Sequence, residues 1–461
     1  MKRRAADVAN KPKKRPRVST LGFWNESSTK WAEILPIPNV LLEAWSPSSN
    51  RLGRNSWFDV QMHAIASTPT SVVSRAVKVP PPKPLGEVYR ARRLRLHPTR
   101  EQKQKLDQWF GTVRFCYNRL VKANGLVGSG GVNLATMRSV IKEAHVEHEW
   151  LKEIPREVKD VAVRDMDKAR KAHFAKPESK RFAKFKFRSR KDPQQSFDVQ
   201  ARDMKRKKGM FACLALDKLF GAEAFPESLD GAVRFVKDRL GKYYVVVPFK
   251  VKRSDNQAPV KVVALDPGVR TFQTTYDADG SAAEWGKGGM SVIFCLCRRA
   301  DRLQSSMSKK KGSKKRGCRR AWLRMLQKIK HKIDEIHHKT AKWLCENYTC
   351  ILIPKFEVSQ MVNKSNRKIS SMVSRNMLTW AHFRFREFLK SKAQLSLGVS
   401  VIEVNEAYTS KTCGKCGELH EKLGKSKTFE CPKCAYTADR DVNGARNILL
   451  RHLSLQCEVV D

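Results

Sequence analysis

Residues 399–447 run Val399-Ser-Val-Ile-Glu-Val-Asn-Glu406, then Cys413-Gly-Lys-Cys416, Cys431-Pro-Lys-Cys434 and Asp439-Arg-Asp441-Val-Asn-Gly-Ala-Arg-Asn447. Apolar side chains alternating with period two mark the first part as a strand, and Asn443–Leu450 reads as the opening of a helix. Between them stand two Cys-x-x-Cys turns, with fourteen residues separating Cys416 from Cys431. Two such turns can present four thiolates to one tetrahedral ion, so Cys413, Cys416, Cys431 and Cys434 are expected to hold one structural Zn2+. A redox dithiol is the other use of Cys-x-x-Cys; the duplicated pair and the absence of a thioredoxin-like unit argue against it.

Acidic residues flank this ribbon in a chain whose other charged segments are mostly basic. Val260–Leu265 is a short apolar strand ending in Asp266-Pro-Gly268. A carboxylate at a strand tip beside glycine is where α/β folds place reactive groups, and a turn-forming aspartate fits the same letters. Hydrolysis of a phosphodiester by two divalent ions about 3.5–4 Å apart needs carboxylates converging from separate elements. Asp266 ends one strand, Glu406 ends another and Asp441 opens a helix. These three are the candidate catalytic residues and the candidate ligands of two Mg2+ ions.

Against 45 Asp and Glu the 461 residues include 92 Lys and Arg, a formal net charge of +47. Such a charge repels itself in a compact state unless a polyanion is present, which makes nucleic acid the expected partner. No apolar run approaches the roughly 20 residues that span a bilayer, so no membrane partner is expected. Without a visible secretory signal, a reducing compartment is the expectation for the twelve cysteines, the eight outside the ribbon serving as buried or incidental thiols.

Taken in order, residues 1–86 form a basic, Ser/Pro/Asn-rich tail expected to be largely disordered. Lys11, Lys13, Lys14, Arg15 and Arg17, set among prolines, fit a nuclear-localisation signal read by an import receptor, or an arm that touches nucleic acid. Residues 87–258 read as a small β-barrel with a helical insertion at about 99–180. Its strands are expected near 88–96, 209–216, 231–237 and 243–251. Thr99-x-x-Gln102 is a capping box ahead of Leu106, Trp109, Phe110, Val113, Tyr117 and Leu120 at helical spacing. In Arg181–Arg190, basic and aromatic residues alternate: a strand whose Lys184, Phe185, Lys186 and Arg188 meet nucleic acid, or a solvated basic edge. Residues 259–410 carry the Asp266 strand, further strands at 348–353 and 399–404, and a basic helical region, 298–347. A flexible turn over Ser308–Arg316 is expected to interrupt that region and to offer Lys314, Lys315 and Arg316 to phosphates. His331, His337 and His338 on it are expected to make surface or groove contacts, with metal ligation the alternative. The ribbon occupies 411–436, and 437–461 completes the α/β part.

Three blocks in this order, Leu265-Asp266-Pro-Gly-Val-Arg270, Tyr408-Thr-Ser-Lys-Thr-Cys-Gly-Lys-Cys-Gly417 and Asp439-Arg-Asp441-Val-Asn-Gly-Ala-Arg-Asn447, resemble the RuvC nuclease of transposon-associated TnpB proteins and type V CRISPR effectors. The likeness covers about 87–455 and is strongest over 260–450. It implies an α/β multidomain protein: an RNase H-like RuvC domain with an inserted zinc ribbon, preceded by a β-barrel "wedge" domain with an inserted helical recognition domain. TnpB proteins carry a second catalytic Glu after the third strand, where this chain has Ile351-Leu-Ile-Pro354-Lys-Phe356. The eukaryotic relatives called Fanzor resemble this chain there and carry the Glu just before the Tyr-Thr-Ser-x-Thr-Cys block, which implies Glu406. Glu357 and Glu403 are the neighbouring carboxylates, Glu403 with the opposite side-chain parity, and Asp439 stands beside Asp441. The resemblance implies an RNA-guided DNA endonuclease with a guide RNA, target double-stranded DNA, a target-adjacent motif and a nuclear location. The alternatives are a catalytically inactive zinc-ribbon nucleic-acid binder derived from a transposon, and a strand-joining transposase.

Overall fold

A computed structural model describes residues 86–457, apart from 124–132, 178–184, 193, 205–210, 212–213, 216–217, 227–228, 256–259, 366, 368 and 425. The basic cluster Lys11, Lys13, Lys14, Arg15 and Arg17 lies outside the described residues, as does Lys184. None of the described helices is long and apolar enough to cross a membrane.

Glu87–Leu96 (β1) opens an antiparallel sheet. Thr99 and Gln102 then make the reciprocal bonds of a capping box, Thr99 N donating to Gln102 Oε1 (3.0 Å) and Gln102 N to Thr99 Oγ1 (3.3 Å). They start the helix Arg100–Ala123 (α1), whose Leu106, Trp109, Phe110, Val113, Tyr117 and Leu120 are buried. Leu134–Glu147 (α2) and Arg156–Phe174 (α3) pack beside it. The sheet continues with Gln194–Val199 (β2), Val233–Asp238 (β3) and Tyr243–Lys252 (β4) in the order β1-β4-β3-β2. Phe197 and Phe235 from the sheet share one core with the three helices.

Three expectations fail here. Among the described residues no ladder joins β1 to β2, so the sheet is open and the expected barrel is not formed; a single bridge, Leu96 to Gly221, extends the β1 edge. The expected strand at 209–216 is not seen in its described part. Phe211 and Leu214 are both buried in the core, and their spacing of three belongs to a turn rather than to a strand. The segment after Phe185 is likewise not a strand. Phe185 is buried while Phe187 is 63% exposed, so the two aromatic rings share no face. Arg188 is turned inward, 3.9 Å above the Tyr117 ring and 2.9 Å from Asp165, while Lys186 and Arg190 are exposed.

The second unit is a mixed sheet of Val262–Pro267 (β5), Gln273–Asp277 (β6), Ala282–Trp285 (β7), Cys350–Pro354 (β8) and Ser400–Val404 (β9), in the order β9-β8-β5-β6-β7. β6 runs antiparallel to both of its neighbours, β5 and β7; β8 runs parallel to β5, and β9 parallel to β8. Side-chain alternation assigns its faces. Val263, Leu265, Ile351 and Ile353 meet helices Gly289–Ser308 (α4), Gly312–Asn347 (α5), Ser371–Trp380 (α6) and His382–Ala393 (α7). Val262, Ala264, Cys350 and Leu352 meet Ala445, Ile448, Leu449 and Leu453 of the last helix, Arg440–Cys457 (α8). With both faces covered, β5 and β8 read as continuous apolar runs.

The break between α4 and α5 is only Lys309–Lys311, made by a left-handed Gly312 (φ 56°). Lys314, Lys315 and Arg316 therefore lie exposed on the first turns of α5 instead of in a flexible turn. His337 is not at the surface: it stacks on Phe272, pairs through Nε2 with Trp380 O (2.9 Å), and burial pushes it down to about 4. Outside the ribbon, Cys116, Cys297, Cys345 and Cys350 are buried thiols, whereas Cys295 is exposed.

After β7, Gly286 turns the chain with φ 72° where a Cβ would lie 2.9 Å from Phe272 Cβ and 3.1 Å from Trp380 Cη2. Gly286→Ala combines backbone strain with overpacking, each costing about 1–3 kcal/mol. Thermal unfolding of this variant is expected to fall by several degrees; an unchanged midpoint would refute the tight packing at this turn.

Candidate active site

Period two places the acidic residues before any contact is considered. Asp266 shares the parity of Val262 and Ala264, and Glu406 that of Ile402 and Val404, so both belong to the α8 face. β5 and β9 run in the same direction through β8, which brings their carboxyl ends to one edge. The N-terminus of α8 reaches that edge with Asp441.

The three carboxylates line one cavity of about 410 Å³, together with Arg270, Phe356, Met361, Lys427 and Arg440. Asp266 lies on its floor: a Cβ at Gly444 would stand 2.6 Å from Asp266 Oδ2, so α8 packs directly over this carboxylate. Trp380 Nε1 donates to Val269 O (3.0 Å) and braces the loop behind it. Burial, then Asp441 and Glu406 beside it, hold the Asp266 carboxyl well above its ordinary range. Burial pushes Glu406 up to about 7, and burial followed by the charges of Asp439 and Glu284 raises Asp441.

The competing carboxylates are engaged elsewhere. Glu403 points to the opposite face, 2.5 Å from Lys390 Nζ and 3.1 Å from Arg386 Nε, and the Lys390 hydrogen bond holds it below its usual range. Glu357 is exposed, bonded to Gln360, and does not line the cavity. Asp439 caps α8, its Oδ1 accepting from Asp441 N (2.9 Å) and Val442 N (3.4 Å). Pro354 closes β8 fully buried. Arg270, Arg440 and Lys427 were not singled out from the sequence, although the first two lie inside the acidic blocks. Phe356, left-handed at φ 38°, and Met361 carry no sequence signal.

The ribbon sits beside this cavity as a minimal unit. Thr428–Glu430 (β10) and Thr437–Asp439 (β11) pair antiparallel around Cys431 and Cys434. The four sulfurs all lie within 4.8 Å of one another, with Cys413 Sγ 3.7 Å from Cys434 Sγ and Cys416 Sγ 3.5 Å from Cys431 Sγ. A tetrahedron with Zn–S bonds of about 2.3 Å has edges of about 3.8 Å, so the cluster fits zinc. Burial pushes the Cys413 thiol up to about 11, so metal binding must displace protons. Among the described residues no other His, Cys, Asp or Glu group gathers so tightly; the three carboxylates of the cavity stand farther apart.

Known proteins share these segments. Residues 382–448 match a family model described as a Cas12f1-like TNB domain, 246–377 one described as a probable transposase, and 88–124, here β1 and α1, one described as a helix-turn-helix domain. "Putative transposase A625R" of Paramecium bursaria Chlorella virus 1 is 28% identical over 80% of this chain and 88% of the viral protein. "TnpB-like protein L79" of Acanthamoeba polyphaga mimivirus is 23% identical over 90% of this chain and 87% of that one. "Putative RNA-guided DNA endonuclease InsQ" of Escherichia coli (strain K12) is 28% identical over 79% of this chain and 93% of that one. A solved Cas12f1-sgRNA-target DNA complex aligns with 78% of this chain and 98% of its own at 15% identity and a TM-score of 0.29. The chain is thus similar to transposase-like proteins of the TnpB/IS605 kind, and its segment 382–448 to Cas12f1-like proteins.

Proposed function

We propose that this protein is an RNA-guided DNA endonuclease that cuts double-stranded DNA at one RuvC-type site. The observation that carries the reading is the convergence of Asp266, Glu406 and Asp441 in one cavity rimmed by Arg270, Lys427 and Arg440. The sheet order supports it: three antiparallel strands followed by two parallel to the first is the arrangement of an RNase H-like nuclease. Relatives named as RNA-guided DNA endonucleases support it as well.

Clustered oxygen ligands with raised proton affinity suit hard divalent cations, and their spread leaves room for two. Asp266, Glu406 and Asp441 would hold two Mg2+ ions, which when bound activate water and stabilise the leaving oxygen. Arg270, Arg440 and Lys427 attract the phosphate strand into the cavity. The exposed lysines of α5 and the net charge of +47 suit an RNA–DNA duplex held by its backbone, with base pairing reading the sequence. Glu406 in the role that Pro354 leaves open is the Fanzor-like feature, and Lys11–Arg17 suits nuclear import; a fluorescent fusion that stays cytoplasmic would refute the import signal.

The test is to purify the chain from its native host, sequence the bound RNA, and offer the particle plasmids with and without the matching target. Linearisation of the matched plasmid in Mg2+ is expected. Pro354 favours one rival, a silent nucleic-acid binder, which would keep RNA and target but leave the plasmid intact. Strand-transfer products without RNA would instead identify a transposase.

A further inference from the structure

Two asparagines of α8, one turn apart, are buried beside the acidic cavity: Asn443 is 1% exposed and Asn447 0%. Ala445, Ile448 and Leu449, between and just after them on α8, turn to the sheet core on another face of the helix. Asn443 Oδ1 accepts from Gly414 N (3.0 Å), and its Nδ2 donates to Thr412 O (2.9 Å). Asn447 Nδ2 donates to Thr409 O (2.8 Å) and Thr412 O (2.7 Å), while its Oδ1 has no partner. An unpaired buried amide oxygen costs about 1–3 kcal/mol, so an apolar side chain would serve packing better. What the amides fix is the 406–414 segment.

That segment joins the two metal sites. At one end Thr409 Oγ1 donates to Glu406 O (2.8 Å), and at the other Gly414 follows the ligand Cys413. Gly414 must be bare for the contact, since a Cβ there would lie 2.8 Å from Asn443 Oδ1. On α8 itself Asn443 stands two residues after Asp441 and one before Gly444, the residue against Asp266. One pair of amides therefore ties the first knuckle of the ribbon, Glu406 and the Asp441 turn into a single frame.

We propose that Asn443 and Asn447 are positioning residues through which the cysteine ribbon fixes Glu406 against Asp266 and Asp441, so that the ribbon's zinc strengthens divalent-cation binding at the carboxylates. The inference rests on the acidic cavity being the metal site argued above. Partners that orient metal ligands typically contribute 10–100-fold in affinity.

Mn2+ is the probe, titrated by calorimetry into the full-length, zinc-loaded chain. The binding lost in Asp266→Asn defines the acidic site. Asn447→Asp keeps size but sets acceptors against the Thr409 and Thr412 carbonyls. It is expected to retain one zinc per chain and to weaken Mn2+ binding 10–100-fold. Stripping zinc from the wild type is expected to weaken it similarly, and stripping it from Asn447→Asp to add little. A folded, zinc-bound Asn447→Asp with unchanged Mn2+ affinity and only a lowered unfolding temperature would show a merely structural amide and overturn the proposal. So would wild-type Mn2+ affinity that ignores zinc removal, a result needing no variant to fold. Equal Mn2+ binding by wild type and Asp266→Asn would sink the metal-site reading itself and the inference with it.

Discussion

Glu406→Gln is expected to reduce Mg2+-dependent target cleavage by at least about 10²–10³-fold, the loss typical when one group stabilising charge at a reacting centre is removed. Asp266→Asn is expected to behave alike, and Glu357→Gln to cut at the wild-type rate, because Glu357 is exposed outside the cavity. The same substitutions should stabilise the metal-free protein. Asp266, Glu406 and Asp441 all bind protons more readily folded than unfolded. Stability from such groups is present at low pH and is lost as pH rises from the unfolded carboxylate range through the raised values, about 7 for Glu406. Neutral Asn or Gln escapes that loss, so unfolding at pH 7.5 without divalent ions should shift up by about 1–3 kcal/mol in the variants. Saturating Mg2+ should reverse the order, adding about 2.7 kcal/mol to the wild type at a hundredfold excess over Kd. Because the ions compete with protons, the Mg2+ needed for half-maximal cleavage should fall steeply as pH rises through about 7. Full activity in Glu406→Gln with loss in Glu357→Gln would reassign the second carboxylate.

Cys431→Ser is expected to take the zinc content from one per chain to none and to open the ribbon to trypsin at Lys415, Lys422, Lys427 and Lys433, while the five-stranded sheet stays folded. The ribbon's own core is little more than Phe429 and the cysteines, with Leu423 and Tyr436 at its edge. Burying one Phe returns about 1.5–3 kcal/mol. Ordering the backbone of the two cysteine turns costs far more than that burial returns. The ribbon therefore relies on bound metal for its fold. The sheet core, by contrast, is filled by Val263, Leu265, Phe272, Ile351, Trp380 and Phe385 and does not depend on the ribbon for burial. Tryptic resistance of the metal-free ribbon, or global unfolding in its place, would refute this division.

Much of this was legible from spacing. The cysteine turns, the capping box at Thr99 and Gln102, and the period-two runs that end in Asp266 and precede Glu406 depend on neighbours a few residues away, and sequence alone determined them. Parity even assigned Glu403 to the wrong face for the trio, as its pairing with Lys390 and Arg386 bears out. What failed depended on distant partners: whether β1 meets β2 to close a barrel, where Phe185 and Phe187 point, and that His337 is swallowed by Phe272 and Trp380. Only the tertiary structure showed Asp439 capping α8 and Asp441 lining the cavity, and only it revealed Asn443 and Asn447 as bridges. Helical and strand periods are written in local sequence, whereas which carboxylate is free and which amide reaches another segment follow from contacts across tens or hundreds of residues.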